Sequence, residues 1–246
     1  MKKCLILALL FAVAAFTFSG CLFSNMPRNP VWDYDYSQMN LIQLEPPHEN
    51  QPIVTIYTEF GEMTAMLFPE YAPNTVDNFI ARIEDGFYDN KPILALIENE
   101  FLFTGANDEE GQQGMTNDGK LIPNEYSVNL WPFKGSLLAF SGRQGFGDSR
   151  FLIIGGVPMT DETAEQMRET VRRDETRLFP EELIEAFYKT DSLPGAMGAY
   201  TIFGQLIDGF EVLDELLSMP TEETTSRPLE EILIEKIELS YYLYQS

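Results

Sequence analysis

Arg150 and Leu152 stand two residues apart in the run Ser149-Arg-Phe-Leu-Ile-Ile154. A strand alternates its side chains between two faces, so Arg150 and Leu152 share one face and Phe151 and Ile153 take the other. A guanidinium beside an apolar wall offers fixed N–H donors and keeps its charge. It can serve a reacting group as a donor. It can equally settle into an ion pair, which is easy to form where 39 acids face 16 basic residues. Few other residues carry chemistry. His48, the only histidine, sits among Pro, Glu, Asn and Gln and reads as incidental. Cys4 and Cys21 are the only cysteines. The acids are scattered without metal-ligand spacing, so no metal and no other cofactor is expected. They read as a solvated surface.

The formal net charge of −23 argues against nucleic acid, which needs clustered Lys and Arg to displace counterions. It also argues against electrostatic adhesion to anionic lipid. Lys2 and Lys3 precede an apolar run from Leu5 to Phe18 that is too short for a membrane span. Phe18-Ser-Gly-Cys21 then resembles a bacterial lipoprotein signal, in which small residues precede a cysteine that is lipidated after cleavage. The resemblance implies a signal peptide over residues 1–20 and a membrane anchor through lipid at Cys21. The alternative is an ordinary secretory signal with an incidental cysteine. Leu22 follows rather than an aspartate, so in a two-membrane bacterium the resemblance implies the outer membrane of the cell envelope. Removing the signal also removes Cys4, so no disulfide can form within the remaining chain.

Residues 21–51 read as a tether, with Pro27, Pro30, Pro46 and Pro47 and no sustained periodicity. Trp32, Tyr34 and Tyr36 are unusual for a linker; the segment is either a partly ordered arm or one that docks on the domain or on a partner. A single domain is expected over residues 52–242. Ile53–Thr58 and Met63–Phe68 read as a strand pair around Gly61. Pro73 opens a helix whose Val76, Phe79, Ile80 and Ile83 share a face and which Gly86 ends. Further strands are expected at Ile93–Ile97, Phe101–Gly105, Gly135–Ser141, Ser149–Ile154 and Tyr200–Phe203, the last interrupted by Gly204, a bulge signal. Asp208-Gly209 is a turn before a helix carrying Val212, Leu213, Leu216 and Leu217. In the last strand Ile232 and Ile234, then Ile237 and Leu239, alternate with polar residues. Residues 158–193 break the β pattern and read as two helices, Met159–Arg177 and one opened by Pro180-Glu-Glu182.

Several strings resemble the cyclophilin-type peptidyl-prolyl isomerases. They are Phe68-Pro-Glu-x-Ala-Pro-x-Thr-Val-x-Asn-Phe79, Gly86-Phe-Tyr-Asp89, Ile122-Pro-Asn-Glu-Tyr126 and Tyr200-Thr-Ile-Phe-Gly204 with Gly209-x-x-Val-Leu-x-x-Leu216. The resemblance runs from about residue 53 to 242. It implies a mainly β fold: a closed eight-stranded antiparallel barrel capped by two helices, 73–85 and 210–218, with the helical insertion as a departure. It implies rotation of the peptide bond before proline, whose uncatalysed barrier is about 18–20 kcal/mol. Such a site needs an apolar socket, a polar clamp on the flanking backbone and a donor to the prolyl nitrogen.

The site strings depart from the family. Its donor arginine falls on Ala95 or Leu96, depending on a one-residue gap, and its glutamine on Thr104. The backbone-clamping Ala-Asn pair reads Phe140-Ser141. The Gly-Ser-Gln-Phe-Phe string reads Asp148-Ser-Arg-Phe-Leu152, and Tyr200 stands for a histidine. The family tryptophan has no clear match near Pro194–Met197. The expected groove is therefore Leu96, Phe101, Leu102, Thr104, Phe140, Ser141, Arg150, Leu152 and Tyr200, with Arg150 as a surrogate donor or as a rim ion pair. Two functions stay open. One is an isomerase of the envelope, weak or inactive, acting on proline-containing peptides or exported proteins. The other is a non-catalytic peptide-binding or chaperone-like module. A third possibility is a groove filled by Phe140, with the insertion as interaction surface.

Overall fold

The computed structural model describes residues 30–173 and 179–243; the expected signal peptide and the lipidation cysteine Cys21 lie outside them. The main body is one curled antiparallel sheet of nine strands. Its strands are β1 (Pro52–Thr58), β2 (Gly61–Leu67), β3 (Lys91–Pro92), β4 (Ala95–Ile97), β5 (Phe101–Thr104), β7 (Ser136–Phe140), β9 (Arg150–Ile154), β10 (Thr201–Asp208) and β11 (Leu233–Tyr241). The order is β3-β11-β1-β2-β10-β7-β9-β5-β4. β6 (Ile122–Pro123) and β8 (Phe146–Gly147) pair separately.

The sheet is a half-barrel, not the closed eight-stranded barrel expected. One short run, residues 91–97, supplies both end strands. Its first half pairs with β11 and its second with β5. The change of partner falls between Ile93, which donates to Ile232 O (2.8 Å), and Leu94, which donates to Phe103 O (2.9 Å). No ladder joins β3 to β4 among the described residues.

Side-chain alternation places the core. Val54 and Ile56, Met63 and Ala65, Leu137 and Ala139, and Phe151 and Ile153 point into the curl. In β11 a bulge skips Glu235, because Tyr57 faces Lys236 while Thr58 faces Ile234. Ile232 and Ile234 before the bulge, and Ile237 after it, therefore all join the core. The expected irregularity at Gly204 is present as a register shift against β7. Helix α1 (Pro73–Glu84) buries Val76 and Phe79 against this core. Its N-terminus has no cap from Ala72. The carboxylate of Glu125 does that work across the chain, accepting from the backbone N–H groups of Asn74 (3.1 Å) and Thr75 (2.9 Å).

The insertion forms α2 (Asp161–Arg173) and α3 (Glu181–Lys189). It leaves and rejoins the barrel at one point, where Val157 and Ser192 exchange backbone hydrogen bonds (3.0 and 3.1 Å). Helix α4 (Phe210–Leu217) then covers the core with Val212, Leu213, Leu216 and Leu217. Gly209 precedes it at φ +80°, and a Cβ there would lie 2.2 Å from Glu62 O.

A second apolar core stands outside the barrel. Met159, Ala164, Met167, Phe179, Leu183, Ile184 and Phe187 from the insertion pack on Trp131 and Phe133, and Val31 joins from the N-terminal arm. The arm is docked. Tyr36 lies parallel to Trp131 (6.1 Å, 17°) and Tyr34 meets it edge-on (6.0 Å, 85°). Gln43, 4% exposed, donates to Trp131 O (2.9 Å), Ser136 Oγ (2.9 Å) and Gln205 Oε1 (3.0 Å), and accepts from Trp131 N–H. One buried amide thus ties the arm to β7 and β10.

Candidate functional site

The outer face of β10, β7, β9 and β5 carries Phe101, Phe140, Arg150, Leu152 and Tyr200 of the residues expected from sequence. Residues paired across antiparallel strands share a face. Phe103 pairs with Leu152, and Phe140 with Arg150, so these four lie together, with Phe101 and Ile154 further along. Tyr200, just before β10, completes the row. Phe140 meets Phe103 edge-on at 5.2 Å and lies tilted to Tyr200 (6.0 Å, 38°). These are contact separations for aromatic rings. The three half-buried rings form a continuous strip, and the bulky ring at Phe140 fills the space that a small residue would leave open.

Three expected groove residues are not on this face. Leu96 and Leu102 belong to the barrel core, 2% and 0% exposed, and Thr104 is fully buried. Register is the reason: Leu96 pairs with Leu102, Leu102 with Ile153 and Thr104 with Phe151, all pointing inward. The Thr104 hydroxyl donates to Pro92 O (3.0 Å). Of the two positions open for the donor arginine, Ala95 lies on the outer face beside Phe103, and Leu96 does not. Phe103 was missed by sequence reading. Its signal was present, since alternation places it with Phe101 rather than with Leu102.

Arg150 reaches the outer face and is spent there on structure. It is 4% exposed. Its Nε and Nη2 donate to the two carboxylate oxygens of Asp148 (3.0 and 2.6 Å), and its Nη1 donates to Gly111 O (3.0 Å). The guanidinium carbon lies 5.2 Å from the Phe140 ring centre. This is a bidentate, buried ion pair that also fastens the loop of residues 105–120 to the sheet. At Gly114 that loop passes so close that a Cβ would overlap the Asp148 carboxylate. The arginine is thus neither a free donor nor the exposed rim pair that was the alternative.

Ser141 is turned away as well. Its hydroxyl lies 2.8 Å from both Arg143 O and Phe146 O, inside its own turn. The Tyr200 phenol is pushed above its ordinary pKa by burial and stays neutral and protonated at neutral pH. Among the described residues no cluster of three His, Cys, Asp or Glu could hold a metal. None of their helices is long and apolar enough to cross a membrane.

The model of the family "Cyclophilin type peptidyl-prolyl cis-trans isomerase/CLD" matches residues 53–239. A Staphylococcus aureus (strain USA300) protein named "Putative peptidyl-prolyl cis-trans isomerase" is 27% identical over 191 residues, covering 76% of this chain and 90% of its own. A Streptococcus pyogenes serotype M6 protein named "Putative bifunctional phosphatase/peptidyl-prolyl cis-trans isomerase" is 29% identical over 207 residues. The match covers 82% of this chain and 42% of that longer one. Among solved structures, a Cryptosporidium parvum cyclophilin-type isomerase aligns with a TM-score of 0.60 at 24% identity, over 80% of this chain and 99% of that one. The same protein crystallised in the presence of the dipeptide Ala-Pro aligns with a TM-score of 0.58 at 26% identity, over 75% and 96%.

Proposed function

The chain belongs to the cyclophilin-type peptidyl-prolyl cis-trans isomerase family, and from that premise we propose that it binds proline-containing segments on the outer face of its sheet while catalysing their isomerisation weakly or not at all. The observation that carries this reading is Phe140, packed between Phe103 and Tyr200, above an arginine already held by Asp148. The apolar surface for a proline ring is retained. The donor to the prolyl nitrogen is not: Ala95 has none, and Arg150 is engaged. Loss of one preorganised transition-state donor costs about 10²–10³ in rate, and several site positions differ together here.

Titration of a labelled proline tetrapeptide, followed by chemical shifts of Phe103, Phe140 and Tyr200, tests the binding half. Shifts confined to these rings and their neighbours support it; a peptide that moves none of them contradicts it.

The same proposal places the protein in a bacterial cell envelope, anchored by lipid at Cys21, with exported proteins as partners. Its support is Phe18-Ser-Gly-Cys21 after a charged and apolar leader. Radiolabelled palmitate should enter the protein and be lost in Cys21→Ala; label retained in that variant rejects the anchor.

A further inference from the structure

The N-terminal arm is fastened to the domain at points spread from Val31 to Gln51. Val31 is 2% exposed in the second core, and its carbonyl accepts from the Tyr36 phenol (3.0 Å). Tyr36 meets Phe179 of the insertion edge-on (6.0 Å, 73°). The Asn40 N–H donates to Asn129 Oδ1 (2.7 Å), and Ile42 packs on the apolar cluster around Leu138, Leu152 and Ile202. Asn50 N–H donates to Tyr242 O (2.8 Å), and Tyr242 N–H donates to Gln51 O (2.9 Å). Val31 also lines one narrow cleft with Tyr200, so the chain joins the domain beside the end of the aromatic strip.

Ten residues of sequence lead from Cys21 to Val31. Whatever path they take, they span at most about 33–36 Å. A tether free as far as Pro52 would span about 100–110 Å. Docking of the arm thus cuts the reach of an anchor at Cys21 about threefold. The net charge of −23 repels an anionic leaflet, but salt confines that push to about 8–10 Å. The repulsion lifts the body off the lipid without drawing the tether to its limit.

Resting on the lipid anchor and the peptide-binding strip proposed above, we propose that the docked arm is a length stop. It holds the strip within about 50 Å of the bilayer and so selects proline-containing segments that stand close to that membrane. The partner is a protein attached to the membrane or emerging from it, not one free in the surrounding compartment.

The test couples the chain from Cys21 onward, which keeps every described residue and a single cysteine, to a maleimide lipid in a phosphatidylcholine bilayer. The geometry is then read whether or not cells lipidate Cys21. Neutron reflectometry gives the gap between headgroups and protein, which should stay below about 36 Å. Inserting about 20 Gly and Ser residues after Asn29 leaves the described fold untouched and should raise the layer by roughly 10 Å. Tyr36→Ser combined with Gln43→Ala, which loosens the arm, should raise it as well. A loosened variant that stays folded at the wild-type height, while the insertion raises the layer, overturns the stop. Unprotected amide exchange from Val31 to Gln51 in the lipid-coupled wild type overturns it too, even if the loosened variant unfolds. A proline peptide displayed on the same bilayer on helical spacers of about 20 and 90 Å tests the selection. The shorter display should be captured several-fold better, and the insertion should narrow that ratio. Equal capture by the wild type at both heights overturns the selection alone. Failure to bind displayed and free peptide alike overturns it together with the peptide-binding reading.

Discussion

One sheet has two faces with different histories of constraint. On the inner face, Leu102, Phe151, Ile153, Leu137, Ala139 and Phe203 pack into a single core with α1 and α4. On the outer face, Phe103, Phe140, Leu152, Arg150 and Tyr200 form a strip crossed by an ion pair. The inner face must fill a fixed volume, so its residue types follow from the fold. The outer face is covered in its middle, where Leu138, Leu152, Ile154 and Ile202 form a further apolar cluster, and only the half-buried rings of Phe103, Phe140 and Tyr200 border it on the side where the proposal puts the peptide. Family membership carries the scaffold; the proposal is that the chemistry does not follow with it.

Substitutions can break or sharpen this contrast. The largest loss should come from the inner face. Phe151 is 1% exposed and packs on Phe79 and Tyr88, so Phe151→Ala should cost about 3–5 kcal/mol in denaturant unfolding. Asp148→Ala strands the Arg150 guanidinium in a site with 4% exposure. It should cost about 3–5 kcal/mol and free the loop of residues 105–120, seen as faster amide exchange there. A smaller loss would show the pair to be solvated. Gln43→Ala leaves the Trp131 N–H without its acceptor and should cost about 1–3 kcal/mol; exchange should rise first around Tyr34, Tyr36 and Trp131. Phe140→Ala should be the mildest, below about 2 kcal/mol because the ring is half-buried. It should also tighten proline-peptide binding by opening the strip. If Phe140→Ala instead unfolds the protein, the ring is core and the two faces are less distinct.

What could be read from sequence follows the same division. The two-residue alternation of strand side chains set Phe151 and Ile153 opposite Arg150 and Leu152, and helical spacing grouped Val76 with Phe79 and Val212 with Leu213, Leu216 and Leu217; all of these join the inner core except Arg150 and Leu152. In the strand Phe101-Leu-Phe-Thr104 composition does not say which face is inward, because three of its four residues are apolar and both faces are covered; alternation separates Phe101 and Phe103 from Leu102 and Thr104, and the sequence reading did not apply it there. Leu102 and Thr104 were therefore assigned to the wrong side. The open ladder depends on a change of partner within residues 91–97, which composition does not record. The second core was illegible for another reason. Gln43 bonds to residues 88, 93 and 162 positions away, and the short 3₁₀ turns of the arm have no amphipathic period to announce that they dock. The aromatic residues at 34 and 36 were the available signal. Arg150 was placed on the correct face, but its partner Asp148 is two residues away in sequence and its burial depends on a loop from residues 105–120.

The central claim is that the outer face retains a surface for proline and has lost the means to lower the barrier. Its most direct test is the rate of prolyl isomerisation with the folded protein, measured on a panel of X-Pro peptides and on a protein whose refolding waits on proline. The account predicts binding with a rate at or near the uncatalysed one. Acceleration by several orders of magnitude, lost in Arg150→Lys while the fold persists, would contradict it and return the arginine to the reaction.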